Sequence, residues 1–162
     1  MQANLTGKVA LVTGGGRGIG RAIASLLAAN GASVLIATRT AASGQEVVDE
    51  INASGGKAAL AAQDLSTREA CDASVAAAVA AFGGLDILVH NSGIFPFTPF
   101  EALSDEEFDR VMRTNLYSFM WLARAALPHL KARGSGRIVG ISSLIGNHCL
   151  LYTSPSPRDR TR

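Results

Sequence analysis

Cysteine is nearly absent from the 162 residues, with only Cys71 and Cys149, so no disulfide framework holds the fold. A reducing compartment is the expected setting. Charged residues are scarce at 17% and aromatics at 6%, while hydrophobic residues reach 48%. That balance excludes a disordered chain, which needs much charge and little hydrophobic material. Long apolar runs are missing, so no segment has the length to cross a bilayer, and no basic-then-apolar leader opens the chain. Excess charge of one sign is missing from most of the chain as well. Of 15 basic and 13 acidic residues, Arg158, Arg160, Arg162 and Asp159 lie in 149–162; removing three bases and one acid leaves 12 of each. A neutral body without a basic cluster excludes a nucleic-acid surface. His90, His129 and His148 lack metal-ligand spacing, so no metal site is expected. The expectation is a cytoplasmic, soluble protein, about one domain long.

Glycine, at 17 residues, is what the chain has in quantity, and it punctuates a regular alternation. A strand over 9–12 leads into a glycine-rich turn at 14–20 and a helix over 19–30, closed by Gly31 as a left-handed cap. A strand over 34–37, a helix over 41–53 and a weak strand over 58–62 follow. Ser66 and Glu69 have the spacing of a capping box for a helix that ends at Gly83-Gly84. After a strand over 85–90, Ser104 and Glu107 form a second box. Helical pattern then continues to about residue 132, with Pro128 either kinking it or starting a short final helix. The last strand covers 137–141. Short strands, apolar on both faces and separated by helices, specify an α/β fold: a doubly wound parallel sheet with helices on both sides.

The turn after the first strand reads Thr13-Gly14-Gly15-Gly16-Arg17-Gly18-Ile19-Gly20. A phosphate-binding turn needs glycine where φ is positive and where backbone must approach a ligand without a Cβ. The helix that follows presents unpaired N–H groups and a positive dipole end. The strand–turn–helix setting is the one a Rossmann-type dinucleotide site requires, and no Lys-Ser/Thr pair supports a Walker loop instead. At the end of the second strand, an acid would suit the ribose 2′-hydroxyl of NAD and a base the 2′-phosphate of NADP. The sequence there is Ile36-Ala37-Thr38-Arg39-Thr40, with no acid before Glu46. Arg39, with Arg17 near the same region, therefore favours NADP(H) over NAD.

These motifs together resemble the short-chain dehydrogenase/reductase family over about residues 5–146. The resemblance implies that Gly14, Gly16, Arg17, Gly18, Ile19 and Gly20 form the cofactor loop. It further implies that Asp64 and Leu65 lie by the adenine, and that Asn91-Ser92-Gly93 stands where the family usually has Asn-Ala-Gly. His90 precedes it where another Asn is common. The family's catalytic asparagine falls on Asn115, whose side chain can open the helical ladder and hold a water of a proton relay. The catalytic serine falls on Ser143, the second serine of Gly136-Arg137-Ile138-Val139-Gly140-Ile141-Ser142-Ser143. Phe95, Pro96, Phe97 and Pro99 either wall the substrate end or pack their own loop. Asp86 is read as serving its turn, and Cys71 as inert, with no activating base beside it.

The family's chemistry also uses a Tyr with a Lys four residues later. The only tyrosine after Ser143 is Tyr152, and Ser156 stands four residues beyond it between Pro155 and Pro157, which oppose the helix such a pair needs. Lys131 is the last lysine. The stretch Cys149-Leu150-Leu151-Tyr152-Thr153-Ser154-Pro155-Ser156-Pro157-Arg158-Asp159 resembles an in-frame translation of a transposase-type sequencing adapter. The expectation is an incomplete dinucleotide-binding domain over 1–148, truncated after the fifth strand, with a non-native tail over 149–162. The intact parent would be a homo-oligomeric NADP(H)-dependent oxidoreductase acting on a small carbonyl or alcohol. This chain itself would be inactive, and poorly soluble through its exposed edge. The competing expectation is a non-catalytic nucleotide-binding or regulatory protein of the same fold.

Overall fold

The computed structural model describes residues 3–143. Strands β1 (Val9–Thr13), β2 (Ser33–Thr38), β3 (Lys57–Ala62), β4 (Ile87–His90) and β5 (Arg137–Gly140) form one sheet in the order β3-β2-β1-β4-β5. Every pairing is parallel. Helices α1 (Gly18–Ala29), α2 (Ala41–Ala53) and α3 (Arg68–Phe82) make the first three crossovers. Helix α4 (Asp105–Met112), a π turn (Arg113–Tyr117) and α5 (Ser118–Ala132) together make the fourth.

The two-residue period of the strands divides the core. Val9 and Leu11 point to one face, with Leu35 and Leu88, and meet Cys71, Val75 and Ala78 of α3 and Leu122, Ala126 and Leu130 of α5. Ala10 and Val12 point to the other, with Ile36 and Val89, and meet Ala24 and Ala28 of α1 and Val47, Val48 and Ile51 of α2. Three- and four-residue spacings set each helical stripe against its face. On the second face, register aligns Leu60, Ile36, Val12, Val89 and Val139 in one row across all five strands. The chain winds outward from β1 to β3 and then returns to β4 on the far side of β1. That reversal opens a crevice at the carboxyl ends of β1 and β4.

At the opposite end, buried Asp86 joins several segments. Its carboxylate accepts the Val9 N–H at 3.0 Å and pairs with Lys8 Nζ at 3.2 Å and Arg133 Nε at 3.3 Å. Asp86 thus ties β1, the start of β4 and the end of α5, well beyond its own turn.

Three local expectations change. Thr67, not Ser66, caps α3 by accepting the Ala70 N–H at 3.3 Å, while the Ser66 N–H is bound to the Asp64 carboxylate. Ser104 caps α4 by accepting the Glu107 N–H, while the Glu107 side chain turns to Arg110 at 3.5 Å. The helical stretch is interrupted by the π turn and not at Pro128, across which α5 continues to Ala132. No described helix is long and apolar enough to cross a membrane. All of β5 is exposed.

Candidate cofactor and substrate site

The crevice is a cleft of about 600 Å³ whose wall includes Gly14, Arg17, Gly18, Ile19 and Thr38. Gly18 begins α1 at φ +53°, and a Cβ there would meet nothing within 4 Å, so its surroundings leave room for a ligand on the backbone. The first N–H groups of α1 have no carbonyl one turn earlier and face this space. Gly20 and Gly16 lie beneath the wall instead. A Cβ on Gly20 would come within 2.3 Å of the Gly14 carbonyl oxygen and 2.5 Å of Asn91 Nδ2. A glycine there lets α1 approach β4. Ile19 is 65% exposed, an apolar side chain held in the open at the mouth of the turn.

Thr13, fully buried at the end of β1, fastens the turn to β4. Its Oγ1 accepts both the Asn91 N–H and the Ser92 N–H, each at 3.0 Å. In return, Asn91 Nδ2 donates to the Thr13 carbonyl at 3.1 Å and the Gly14 carbonyl at 3.4 Å. Asn91, Ser92 and Gly93 then line the cleft. Thr13 heads the glycine-turn motif in the sequence, but its fastening role is visible only where the fold brings Asn91 and Ser92 to it.

Arg39 stands exposed on the wall beyond β2, beside Thr40 and Ser43. Neither Arg39 nor Arg17 makes an ion pair among the described residues, which leaves two cationic forks at this end. Asp64 and Leu65 follow β3 on the same wall. The Leu65 side chain is buried in the core, so what Leu65 offers the cleft is backbone. The donor set fits a nicotinamide dinucleotide: helix N–H groups suited to a pyrophosphate, with guanidinium, hydroxyl and amide groups along the same wall.

Asn115 lies on the π turn, so the ladder is open where expected. Its side chain is bound outside the helix: Oδ1 accepts the Ile94 N–H and Nδ2 donates to the Ile94 carbonyl, both at 2.8 Å. The carboxamide thereby clamps the segment that leaves β4. Ser143 follows β5 at the same end of the sheet. Phe95 and Phe97 are exposed and meet edge to face at 5.1 Å, so this loop packs on itself and not on the core. Tyr152 and Ser156 lie outside the described residues.

Two buried groups stand apart from the cleft wall. His90 Nε2 lies 2.7 Å from Ser118 Oγ, and burial lowers the imidazole pKa. The Cys71 thiol is pushed up to about 12 by burial, then by Asp72 and Glu69, which leaves it a protonated core group. A shallower hollow of about 490 Å³ lies at the amino ends of β2 and β3, between Ser33, Asn52, Lys57 and Phe82, and gathers no motif.

Comparison with known proteins agrees with this geometry. The sequence profile described as short chain dehydrogenase matches residues 8–154. A hydroxynaphthalene reductase-like protein Arp2 of Metarhizium robertsii is 44% identical over 145 residues, 89% of this chain and 54% of that protein. The 3-oxoacyl-[acyl-carrier-protein] reductase FabG of Vibrio cholerae is 41% identical over 143 residues, 88% of this chain and 57% of that protein. A 7α-hydroxysteroid dehydrogenase solved with NADH and 7-oxo glycochenodeoxycholic acid superposes with TM-score 0.87 at 34% identity, over 91% of this chain and 57% of that one. A Burkholderia cenocepacia short chain dehydrogenase solved with NADP gives 0.84 at 39%, over 90% and 59%. The chain spans a little over half the length of these relatives. With the strand order, the glycine turn and the Asn91–Gly93 segment in one crevice, the chain belongs to the short-chain dehydrogenase/reductase family of oxidoreductases.

Proposed function

We propose that this chain carries the cofactor-binding part of an NADP(H)-dependent oxidoreductase that interconverts a carbonyl and an alcohol on a small molecule. The reading rests on convergence: the glycine turn, Asn91–Gly93 and Arg39 border one cleft at the carboxyl end of the sheet. A nicotinamide dinucleotide, when bound, supplies a hydride donor or acceptor. The N-terminus of α1 would hold the pyrophosphate, with Gly14 and Gly18 admitting it, Ile19 beside it, and Gly16 and Gly20 keeping the turn close to its supports. Arg39, aided by Arg17, would take the 2′-phosphate, since no acid stands at the end of β2 to select a 2′-hydroxyl. Asp64, the Leu65 backbone, Asn91, Ser92 and Gly93 would flank the nucleoside.

Ser143 would donate a hydrogen bond to the substrate oxygen, and Asn115 would support proton movement from the exposed face of the π turn. No lysine follows Lys131 and Ser156 stands four residues after Tyr152, so a Tyr-x-x-x-Lys pair is missing. The 162-residue chain is therefore proposed to bind cofactor without turning over. A longer, homo-oligomeric, cytoplasmic parent, with 1–148 as the native domain and 149–162 foreign to it, completes the proposal.

Titration of the chain with NADPH and NADH tests the cofactor. NADPH should bind more tightly, and Arg39→Asp should reverse the order. Equal affinities, or tighter NADH, would overturn the NADP(H) assignment.

A further inference from the structure

The π turn that carries Asn115 has a support outside its own helix. In α-helical register the Ser118 N–H would reach the carbonyl of Thr114, four residues back. It reaches Arg113 instead, five residues back. The Ser118 side chain takes over at the carbonyl so released: its Oγ donates to the Thr114 oxygen at 2.7 Å. A serine hydroxyl has one proton, and that contact uses it. The 2.7 Å contact between Ser118 Oγ and His90 Nε2 must then run the other way, with the imidazole N–H donating. Both side chains are buried, His90 at 5% and Ser118 at 0% exposure, and the His90 ring is wedged edge-on against Phe119 at a centroid distance of 5.4 Å.

We infer that His90 is a positioning residue for Asn115, holding the π register through Ser118 and the Thr114 carbonyl so that the carboxamide meets Ile94. The chain of bonds closes on itself. His90 is the last residue of β4, Ile94 lies four residues further on, and Asn115 binds Ile94 by both backbone groups. The same strand end thus supports the turn from below and is clamped by it from above. Burial disfavours the charged ring, and the commitment of the Ser118 proton to the Thr114 carbonyl places the imidazole proton on Nε2. The inference rests on the reading of Asn115 as a site residue, and it assigns a task to the histidine that stands where an asparagine is common.

Amide hydrogen exchange on the free 162-residue chain tests it, through the Ile94 N–H that Asn115 protects. His90→Phe keeps a ring against Phe119 without the donor, Ser118→Ala removes the relay, and His90→Gln restores an N–H of similar reach. Exchange at Ile94 should rise about tenfold in the first two variants, with β1 and β2 amides unchanged, and return near the parent rate in His90→Gln. Unchanged exchange at Ile94 in both His90→Phe and Ser118→Ala would overturn the positioning role. So would a rise shared equally by β1 and β2 in all three variants, which a merely structural histidine would give. If His90→Phe alone loosens the whole sheet, Ser118→Ala against His90→Gln decides between the two. An NADPH titration of the unsubstituted chain reports separately on the functional reading: failure to bind overturns that reading, while the exchange pattern still decides the positioning role.

Discussion

A single hydrogen atom separates function from clash at Gly20. A methyl group there would press within 2.3 Å of the Gly14 carbonyl oxygen, which is backbone and has nowhere to move. Gly20→Ala should displace α1 from the glycine turn, abolish measurable dinucleotide binding by titration, and lower the midpoint of thermal unfolding. His90 yields a pH prediction whose sign follows from its burial. Its folded pKa lies below the ordinary 6.5, so as pH falls below 6.5 the unfolded chain takes up a proton that the folded chain refuses. Stability is full above 6.5, falls as pH drops from there to the folded pKa, and levels off below it. Urea unfolding at about pH 7.5 and about pH 5.5 should show a smaller acid loss in His90→Gln than in the parent. Equal losses would show that the imidazole does not titrate differently on folding.

Strands and helices depend on partners far along the chain. Thr13 accepts two N–H groups from the residues after β4, so Thr13→Val leaves both unpaired in a part-buried setting. A loss of about 1–3 kcal/mol is expected from urea unfolding, largely recovered by Thr13→Ser, whose hydroxyl is retained. The elements themselves were legible in the chain because apolar spacing sets them: 41–53 is helical as read, and β-branched runs mark β1 and β2. The glycine turn was legible for the same local reason. The π turn was legible only through the resemblance that singled out Asn115, since a one-residue slip in the ladder barely alters a helical periodicity. The cap at Thr67 was missed because Ser66, one residue earlier, has the same hydroxyl chemistry, and a one-residue shift of the helix start decides between them. His90 and Asp86 looked ordinary for a different reason. The groups that define them, Ser118 for one and Val9, Lys8 and Arg133 for the other, are brought near only by the fold.

The whole molecule separates its tasks between the two ends of one sheet. The groups proposed to hold cofactor and substrate stand at the carboxyl ends, and the Asp86 network locks the amino ends. Its side edge differs in kind: Ile138, Val139 and Ile141 are 39%, 46% and 39% exposed on and just beyond β5, with no strand paired to the outer side among the described residues. Such an edge invites pairing with another chain. Sedimentation velocity should show concentration-dependent association of the 162-residue chain, reduced by Val139→Lys. A monomer at every concentration would contradict this. The Asp86 lock also bears on the order in which the chain can become native. The Val9 amide waits for a carboxylate 77 residues later, and Lys8 for a hydroxyl, Ser135, 127 residues later. On a ribosome, the lower end of β1 can therefore pair with β2, through the Ser33 N–H and the Lys8 carbonyl, long before the Asp86 lock exists. The central strand of the sheet is thus the first to be made, yet one of its edges and its Asp86 anchor wait for β4, so the non-local docking of β4 completes what β2 begins.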